Sequence, residues 1–190
     1  MMNLCRKLYL GVFLSLFVSG LALAAPDIAA GKEKAGMCFN CHGAEGNSKR
    51  SNFPSLAGQK PAYLVNQLRA FREGTRENGL MQNQAANLTD AEINNLAAFF
   101  ASVKNISAGG DKALADKGES KAPMCFGCHG NKAMGMGVTP RLAGQYPAYL
   151  QRQLQAFKDG TRKNGPMRGI AKMLSAEEVS AVTEYMGSLK

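Results

Sequence analysis

The chain has 190 residues, enough for one ordinary domain or two small ones, and its hydrophobic content of 45% is normal for a globular protein. The formal net charge of +9 favours acidic partners or anionic surfaces. Nucleic acid is excluded as an expected partner, because the basic residues are scattered and the chain has no recognised nucleic-acid-binding motif.

Residues 1–24 are predicted to be a secretory signal peptide, removed on export to an oxidising compartment. The short positive stretch MMNLCRK precedes the apolar run LYLGVFLSLFVSGLALA, which ends in a small-residue cleavage pattern at Ala24. An uncleaved membrane anchor is the alternative, because the run approaches the ~20 residues that span a bilayer. Cys5 lies upstream of the run and would leave with the signal. Loss of Arg6 and Lys7 with it lowers the net charge to +7.

The mature chain contains one unit twice. The segment LAGQKPAYLVNQLRAFREGTRENGLM at 56–81 aligns without a gap with LAGQYPAYLQRQLQAFKDGTRKNGPM at 142–167, 86 residues further on. The motifs MCFNCHG at 37–43 and MCFGCHG at 124–130 are 87 apart, so one residue was gained or lost between motif and segment. We predict two domains, 25–107 and 108–190. At this size a staple or cofactor often completes the core.

Each unit is predicted to be helical. Short helices lead into the cysteine motifs over DIAAGKEKAG and ALADKGESKA. A second helix begins at a first-turn proline and ends at a glycine, Pro61 to Gly74 and Pro147 to Gly160. The last helix opens with a capping box, Thr89 to Glu92 and Ser175 to Glu178. Core stripes follow at Ile93, Leu96, Phe100 and Val103, and at Val179, Val182, Met186 and Leu189. No alternating pattern indicates a strand, so the fold class is all-α.

Two Cys-x-x-Cys-His motifs contain both histidines of the chain and all four mature cysteines: Cys38, Cys41 and His42, then Cys125, Cys128 and His129. A thioredoxin-type redox site would need a βαβ pattern, which is missing. A structural zinc site would need a fourth ligand in each half. Covalent haem attachment uses two thiols at this spacing and an adjacent histidine on the iron. We therefore predict two covalently bound haem c groups.

Because the chain has only two histidines, few ligands are possible on the opposite face of each iron. Both histidines are proximal ligands, so the opposite ligand is methionine, a weaker ligand such as lysine, or absent. In the first unit Met81 remains, because Met37 adjoins Cys38 on the attachment side. The second unit offers Met124, Met134, Met136, Met167, Met173 and Met186. Since Met167 repeats Met81 in the gap-free alignment, position and repeat favour these two as axial sulfur ligands.

Together these features resemble the dihaem cytochrome c4 family, which has two tandem class I cytochrome c units. Three motifs of the first unit recur in the second: CFNCHG as CFGCHG, NFPSLAGQ as TPRLAGQ and ENGLM as KNGPM. The likeness to the family covers essentially the whole mature chain. The resemblance implies two helical haem domains with their propionate edges facing across an interface. It implies His42 and Met81 on one iron, and His129 and Met167 on the other. The short segment before Met81 departs from the family pattern.

The resemblance also implies roles around the ligands. The backbone carbonyls of Pro54 and Pro140 are expected to accept the second N–H of the ligating imidazoles. Four other side chains recur at matched positions, where they would contact a haem propionate or ring, or serve in ordinary packing and solvated charge: Tyr63, Arg76, Tyr149 and Arg162.

The implied function is that of a periplasmic, often membrane-associated, one-electron carrier in a respiratory chain. Its donor would be a quinol-oxidising complex, and its acceptor a terminal haem-copper oxidase, with the cbb3 type as one candidate. Filled axial positions leave no site for a substrate, which favours an electron-transfer protein over an enzyme. Two alternatives stay open: a haem enzyme of the peroxidase or thiosulfate-oxidising type, and the electron-accepting cytochrome subunit of a dehydrogenase complex.

Overall fold

The computed structural model describes residues 25–190, so the predicted signal peptide, Cys5 and the anchor alternative lie outside the described residues. The all-α fold class is confirmed. Within residues 25–190 the regular structure is α-helix with two single 3-10 turns, and Met136 and Thr139 form one isolated β-bridge. No helix in this part of the chain is long and apolar enough to cross a bilayer.

The helices follow the repeat. The first half contains α1 (Ile28–His42), α2 (Pro61–Arg72), α3 (Gly79–Ala85) and α4 (Asp90–Ser102). The second half contains α5 (Lys112–Glu119), α6 (Pro123–His129), α7 (Pro147–Asp159), α8 (Gly165–Met173) and α9 (Ala176–Ser188). The 3-10 turns Ala44–Gly46 and Asn131–Ala133 follow the two histidines.

The predicted helix starts are confirmed where proline or a capping box marks them. Both α2 and α7 begin at the proline. Helix α7 ends at Asp159 and is capped by Gly160, which adopts a left-handed φ of 89°, whereas α2 ends at Arg72, two residues before the predicted Gly74. Both capping boxes form, with the Thr89 and Ser175 side chains each accepting a hydrogen bond from the third backbone N–H of its helix. The short helices α3 and α8 were not predicted.

The entry into the cysteine motif differs between the halves. In the first half, one helix, α1, runs through the motif to His42. In the second half the same stretch is divided into α5 and α6 at Pro123, which begins α6. Proline lacks the N–H that would bond to the carbonyl of Glu119, and its ring clashes with that carbonyl in a continuous helix.

Each half has its own hydrophobic core. The first core contains ten buried residues, including Ile93, Leu96 and Phe100 from the predicted stripe. The second half buries the same number of hydrophobic residues, eleven in each half, but only five of them pack into one cluster: Ala122, Ala133, Leu150, Val182 and Met186. Of the remaining stripe positions, Val103, Val179 and Leu189 are half-buried. The buried side chains of the second half are therefore smaller and less contiguous, with six alanines among the eleven against four in the first half.

A glycine lets two helices cross closely in each half. A Cβ atom on Gly31 of α1 would lie 2.1 Å from the carbonyl oxygen of Asn95 on α4. A Cβ atom on Gly118 of α5 would lie 2.2 Å from the carbonyl oxygen of Ala181 on α9. In the first half the motif helix α1, and in the second half the preceding helix α5, is thus held against the terminal helix at a backbone contact that only glycine permits.

The two halves contact each other through a matched pair of glutamines. Gln59 accepts from the Arg141 N–H at 2.7 Å and donates to the Arg141 carbonyl at 2.9 Å. Gln145 makes the same two bonds to Ser55, both at 2.9 Å. Ser55 directly follows Pro54, and Arg141 directly follows Pro140. These bonds therefore fix the two candidate sites relative to one another.

Candidate haem-binding sites

The cysteine motifs lie on the last turns of α1 and α6. In the first half, Cys38, Cys41 and His42 occupy positions i, i+3 and i+4, which share one helix face. The helix ends at Gly43, with φ 77° and ψ 169°, a conformation open essentially to glycine alone. In the second half Gly130 has almost the same angles, φ 76° and ψ 169°. The chain therefore turns away directly after each histidine.

A proline carbonyl orients each imidazole. His42 Nδ1 lies 2.8 Å from the Pro54 carbonyl oxygen, and His129 Nδ1 lies 2.9 Å from the Pro140 carbonyl oxygen. A carbonyl only accepts, so Nδ1 is the nitrogen that carries the proton and donates. The lone pair of Nε2 is then available for a metal.

Burial keeps both imidazoles in the form that binds metals. It lowers the pKa of His42 and of His129 below the ordinary value, and the hydrogen bonds to Pro54 and Pro140 oppose this effect without reversing it. Neutral imidazole is the ligating form.

The four thiols are free. No disulfide joins Cys38 to Cys41 or Cys125 to Cys128, and Cys128 is exposed. Burial, with a smaller contribution from neighbouring Cys41, raises the pKa of the Cys38 thiol to about 11. Burial also raises the pKa of the Cys125 thiol. Both halves therefore present two unbridged thiols beside a fixed imidazole, as thioether attachment requires.

The predicted sulfur ligands begin the two unpredicted helices. Met81 and Met167 are the third residues of α3 and α8, and their N–H groups donate to the side chains of Asn78 and Asn164 at 3.0 Å. Both methionines are half-buried, and Met81 packs against the first core. The available signal was the Asn-Gly pair at each start, since asparagine is a good N-cap.

The other methionines of the second half occupy different environments. Met186 is buried in the core, while Met136 and Met173 are 62% and 71% exposed. Met124 adjoins Cys125 on the attachment side, and Met134 is exposed on the loop after His129. Met167 remains the expected ligand.

The matched tyrosines and arginines meet where the halves contact each other. Arg76 lies within hydrogen-bond distance of Tyr149, and Arg162 lies within hydrogen-bond distance of Tyr63. Gln67 and Gln153 join them and were missed by the sequence reasoning, although they too are identical in the aligned repeats.

The residues of each site fit a haem c group. Its covalent attachment would use the two free thiols. Its iron would be ligated by the neutral imidazole, which has one nitrogen available, and by the half-buried thioether. When bound, the haem iron accepts and releases a single electron.

Comparison with known proteins agrees with this assignment. The cytochrome c family model matches the chain twice, over residues 28–104 and 112–190. Fold and site thus define a c-type cytochrome with two haem units in tandem.

Full-length relatives narrow the class. Cytochrome c4 of Pseudomonas aeruginosa is 38% identical over 199 residues, which cover 97% of this chain and 99% of the relative. The crystal structure of reduced recombinant cytochrome c4 from Pseudomonas stutzeri superposes with a TM-score of 0.83 at 34% identity, covering 87% of this chain and all of the other. A thiosulfate dehydrogenase electron acceptor of Stutzerimonas stutzeri is 40% identical over 169 residues, covering 80% of this chain and 78% of the relative. The chain belongs to the cytochrome c4 family and is a dihaem electron-transfer protein with redox protein partners.

Proposed function

We propose that this protein is a periplasmic one-electron carrier of a respiratory chain, passing electrons from a quinol-oxidising complex toward a terminal haem-copper oxidase. The observation that carries the proposal is the repetition of the whole site. In both halves a proline carbonyl fixes the imidazole of a Cys-x-x-Cys-His motif at 2.8 or 2.9 Å. Two equivalent one-electron sites suit a relay between partners.

The proposal assigns each side chain a role. His42 and Met81 hold one iron, and His129 and Met167 hold the other. Cys38 and Cys41, and likewise Cys125 and Cys128, form the thioether links. Pro54 and Pro140 orient the imidazoles. The proposed domains, 25–107 and 108–190, are supported by the two matches to the cytochrome c model.

Charge gives the two halves different capacities for docking. Residues 25–107 carry nine Lys and Arg against seven Asp and Glu, whereas residues 108–190 carry twelve against seven. We assign the docking of acidic partners to the second half, where complementary charge speeds encounter. Reduction and oxidation rates should therefore fall as ionic strength rises, because salt screens such steering.

A reconstituted oxidase assay tests the acceptor. The reduced protein is added to vesicles containing a cbb3-type oxidase, and oxygen uptake and optical oxidation are followed together. We expect oxidation of the protein to match the oxygen consumed and to stop with cyanide. Failure to oxidise, while a small-molecule donor still supports oxygen uptake, would rule out this acceptor.

The second candidate function is to accept electrons from a thiosulfate dehydrogenase. The similarity to the thiosulfate dehydrogenase electron acceptor of Stutzerimonas stutzeri favours it. A purified dehydrogenase with thiosulfate would reduce the protein stoichiometrically if this candidate is correct. Reduction by thiosulfate without the dehydrogenase, or rapid carbon monoxide binding to the native protein, would instead indicate a haem enzyme.

Location is tested separately, by fractionating cells that express the full chain. We expect the mature protein in the periplasmic fraction, starting at residue 25, with any peripherally membrane-associated portion released by a salt wash. Retention after that wash, together with an intact N-terminus, would indicate the anchored alternative.

A further inference from the structure

The two histidines differ in their aromatic neighbours. Within residues 25–190 an aromatic ring pairs with His42, but none pairs with His129. The ring is that of Phe53, whose centroid lies 6.0 Å from the imidazole centroid at an interplanar angle of 80°. Phe53 directly precedes Pro54, whose carbonyl accepts the hydrogen bond from His42 Nδ1. The ring therefore lies beside the bond that orients the imidazole.

A guanidinium group lies over the same ring. The Arg50 Cζ atom is 4.6 Å from the Phe53 centroid, a cation–π distance. Arg50 also donates a hydrogen bond of 2.7 Å to the carbonyl of Asn40, which lies on the motif helix α1 directly before Cys41. Arg50 thus joins the ring to the helix that carries His42.

Hydrogen bonds fix the loop on both sides of Arg50 and Phe53. The Phe53 N–H donates to the Arg50 carbonyl at 3.1 Å, which closes a turn between the two residues. The Ser48 hydroxyl donates to the same carbonyl at 3.0 Å and accepts from the Arg50 N–H at 3.1 Å. From the second half, Arg152 donates to the Asn52 carbonyl at 2.9 Å. The position of the ring is therefore set by the loop that carries it.

The second half has neither the ring nor the guanidinium group. Thr139 occupies the position before Pro140, and residues 133–139, AMGMGVT, contain no aromatic and no charged side chain. The imidazole–proline hydrogen bond is nevertheless kept, and both imidazoles are 6% exposed. Since bond and burial are equal, the two sites differ in the kind of neighbour beside the imidazole.

We propose that Phe53 and Arg50 raise the reduction potential of the first haem alone. The inference rests on the proposed function, which places a haem iron on His42. Neither side chain is assigned as an iron ligand, so both are positioning residues that act through the imidazole. Two haems with the same pair of axial ligands would thereby have potentials that the chain sets separately.

Electrostatics gives the direction of the shift. Oxidation adds one positive charge to the iron. An apolar ring beside the ligand stabilises that charge less than a polar group or water does, because the environment around a metal site controls its redox potential. A guanidinium group repels the same charge. Both neighbours therefore favour the reduced state of the first haem.

Optical redox titration of the holoprotein measures both midpoint potentials. Phe53→Thr, which installs the residue of the second half, should lower the potential of the first haem and leave that of the second unchanged. Phe53→Leu, which keeps an apolar side chain, should lower it less. Thr139→Phe is the reciprocal change and should raise the potential of the second haem. Met81→Ala identifies the first haem, because loss of its proposed sulfur ligand displaces that potential.

Ionic strength separates the ring from the charge. Arg50 is exposed, so salt should screen its direct effect on the iron, whereas the effect of the ring should persist. The fall in Arg50→Gln should therefore shrink as salt is added, and the fall in Phe53→Thr should not. Lys49→Gln is the matched control, since Lys49 is an exposed neighbouring base outside the cation–π pair. It should lower the first potential less than Arg50→Gln does.

Three results would overturn the proposal: unshifted potentials in Phe53→Thr, equal shifts of both haems, or an effect of Lys49→Gln as large as that of Arg50→Gln. Lower thermal stability of Phe53→Thr with unchanged potentials would show that the ring serves only in packing. If Phe53→Thr does not fold, Phe53→Leu and Thr139→Phe supply the same comparison. A haem assay separates this test from the proposed function. Unsubstituted protein without two haems contradicts that function, whereas two haems with unshifted potentials in the variants contradict the present proposal alone.

Discussion

The two halves keep the same contacts around the histidine but differ in their cores. The imidazole–proline hydrogen bond is 2.8 Å long in the first half and 2.9 Å in the second, although the loop between the two residues is one residue shorter in the second. Each half buries eleven hydrophobic residues, but ten of them form one cluster in the first half and only five do so in the second. Site geometry has thus been preserved while the packing behind it diverged.

Aromatic packing accounts for much of the difference. In the first half Phe39, Phe99 and Phe100 contact one another, with ring centroids 5.2 to 6.4 Å apart. The aligned positions 126, 185 and 186 of the second half hold Phe, Tyr and Met. Because aromatic pairs add to the stability of a core, we expect the second half to depend more on its cofactor than the first.

The largest expected effect comes from removing haem attachment in one half at a time. Cys125→Ala with Cys128→Ala should lose one haem and unfold the second half, because its buried side chains are smaller and form a less contiguous core. Cys38→Ala with Cys41→Ala should also lose one haem but leave the first half more ordered. Haem stoichiometry and limited proteolysis, with fragments located by mass spectrometry, measure this.

Equal protection of both halves from proteolysis, or a greater loss of protection in the first, would show that core packing does not set dependence on the cofactor. Retention of both haems would contradict the attachment sites themselves.

The next effect concerns the glycine crossings, which the halves share. Gly31→Ala and Gly118→Ala should each lower the free energy of unfolding by about 1–3 kcal/mol, the usual cost of overpacking, because the new methyl group would press on a backbone carbonyl. Chemical denaturation of the holoprotein measures the change.

Gly36→Ala is the matched control for this pair. It lies on α1 with nothing within 4 Å of the added methyl group. Alanine there should stabilise the helix by up to about 1 kcal/mol. Similar effects of Gly31→Ala and Gly36→Ala would contradict the close crossing.

The smallest expected effect is a pH dependence at the capping boxes. A hydrogen bond from Lys34, together with the Thr89 cap, lowers the pKa of Glu92 to about 2 in the folded state. Stability from this lowered pKa is present above the ordinary value of 4.5 and is lost as the pH falls toward 2. Lys121 lowers the pKa of Glu178 in the second half in the same direction.

Denaturation midpoints at pH 6 and pH 3 provide the measurement. Glu92→Gln should make stability depend less steeply on pH over this range, with a parallel effect of Glu178→Gln. An unchanged slope in both variants would show that these exposed pairs add nothing, which is common for surface ion pairs.

Repeats and local signals account for most of what the sequence could predict. Local residue preferences within one helical turn predict two features correctly. These are the helix starts at Pro61 and Pro147 and the capping boxes at Thr89 and Ser175. The motif helix was harder, since α1 runs through Gly36 to His42 while Pro123 divides its counterpart. One glycine weakens a helix, whereas proline breaks it.

Short helices and contacts between halves escaped prediction for physical reasons. Helix α3 has only seven residues and no apolar stripe long enough to detect; its signal is the Asn78 cap alone. The pairing of Gln67 with Arg162 joins residues 95 positions apart and depends on how the halves pack. Local sequence patterns do not contain that information. The recurrence of Gln67 as Gln153 was the one sequence signal that singled out these two positions.

The claim that each iron has one histidine and one methionine ligand is tested most directly by the long-wavelength absorption band of the oxidised protein. Met81→Ala should remove one haem's share of the band, Met167→Ala should remove the other haem's share, and the double variant should lack it. Met134→Ala with Met136→Ala should retain the full band. A full band in Met81→Ala or Met167→Ala, or a loss in the Met134 and Met136 variant, would contradict the assignment.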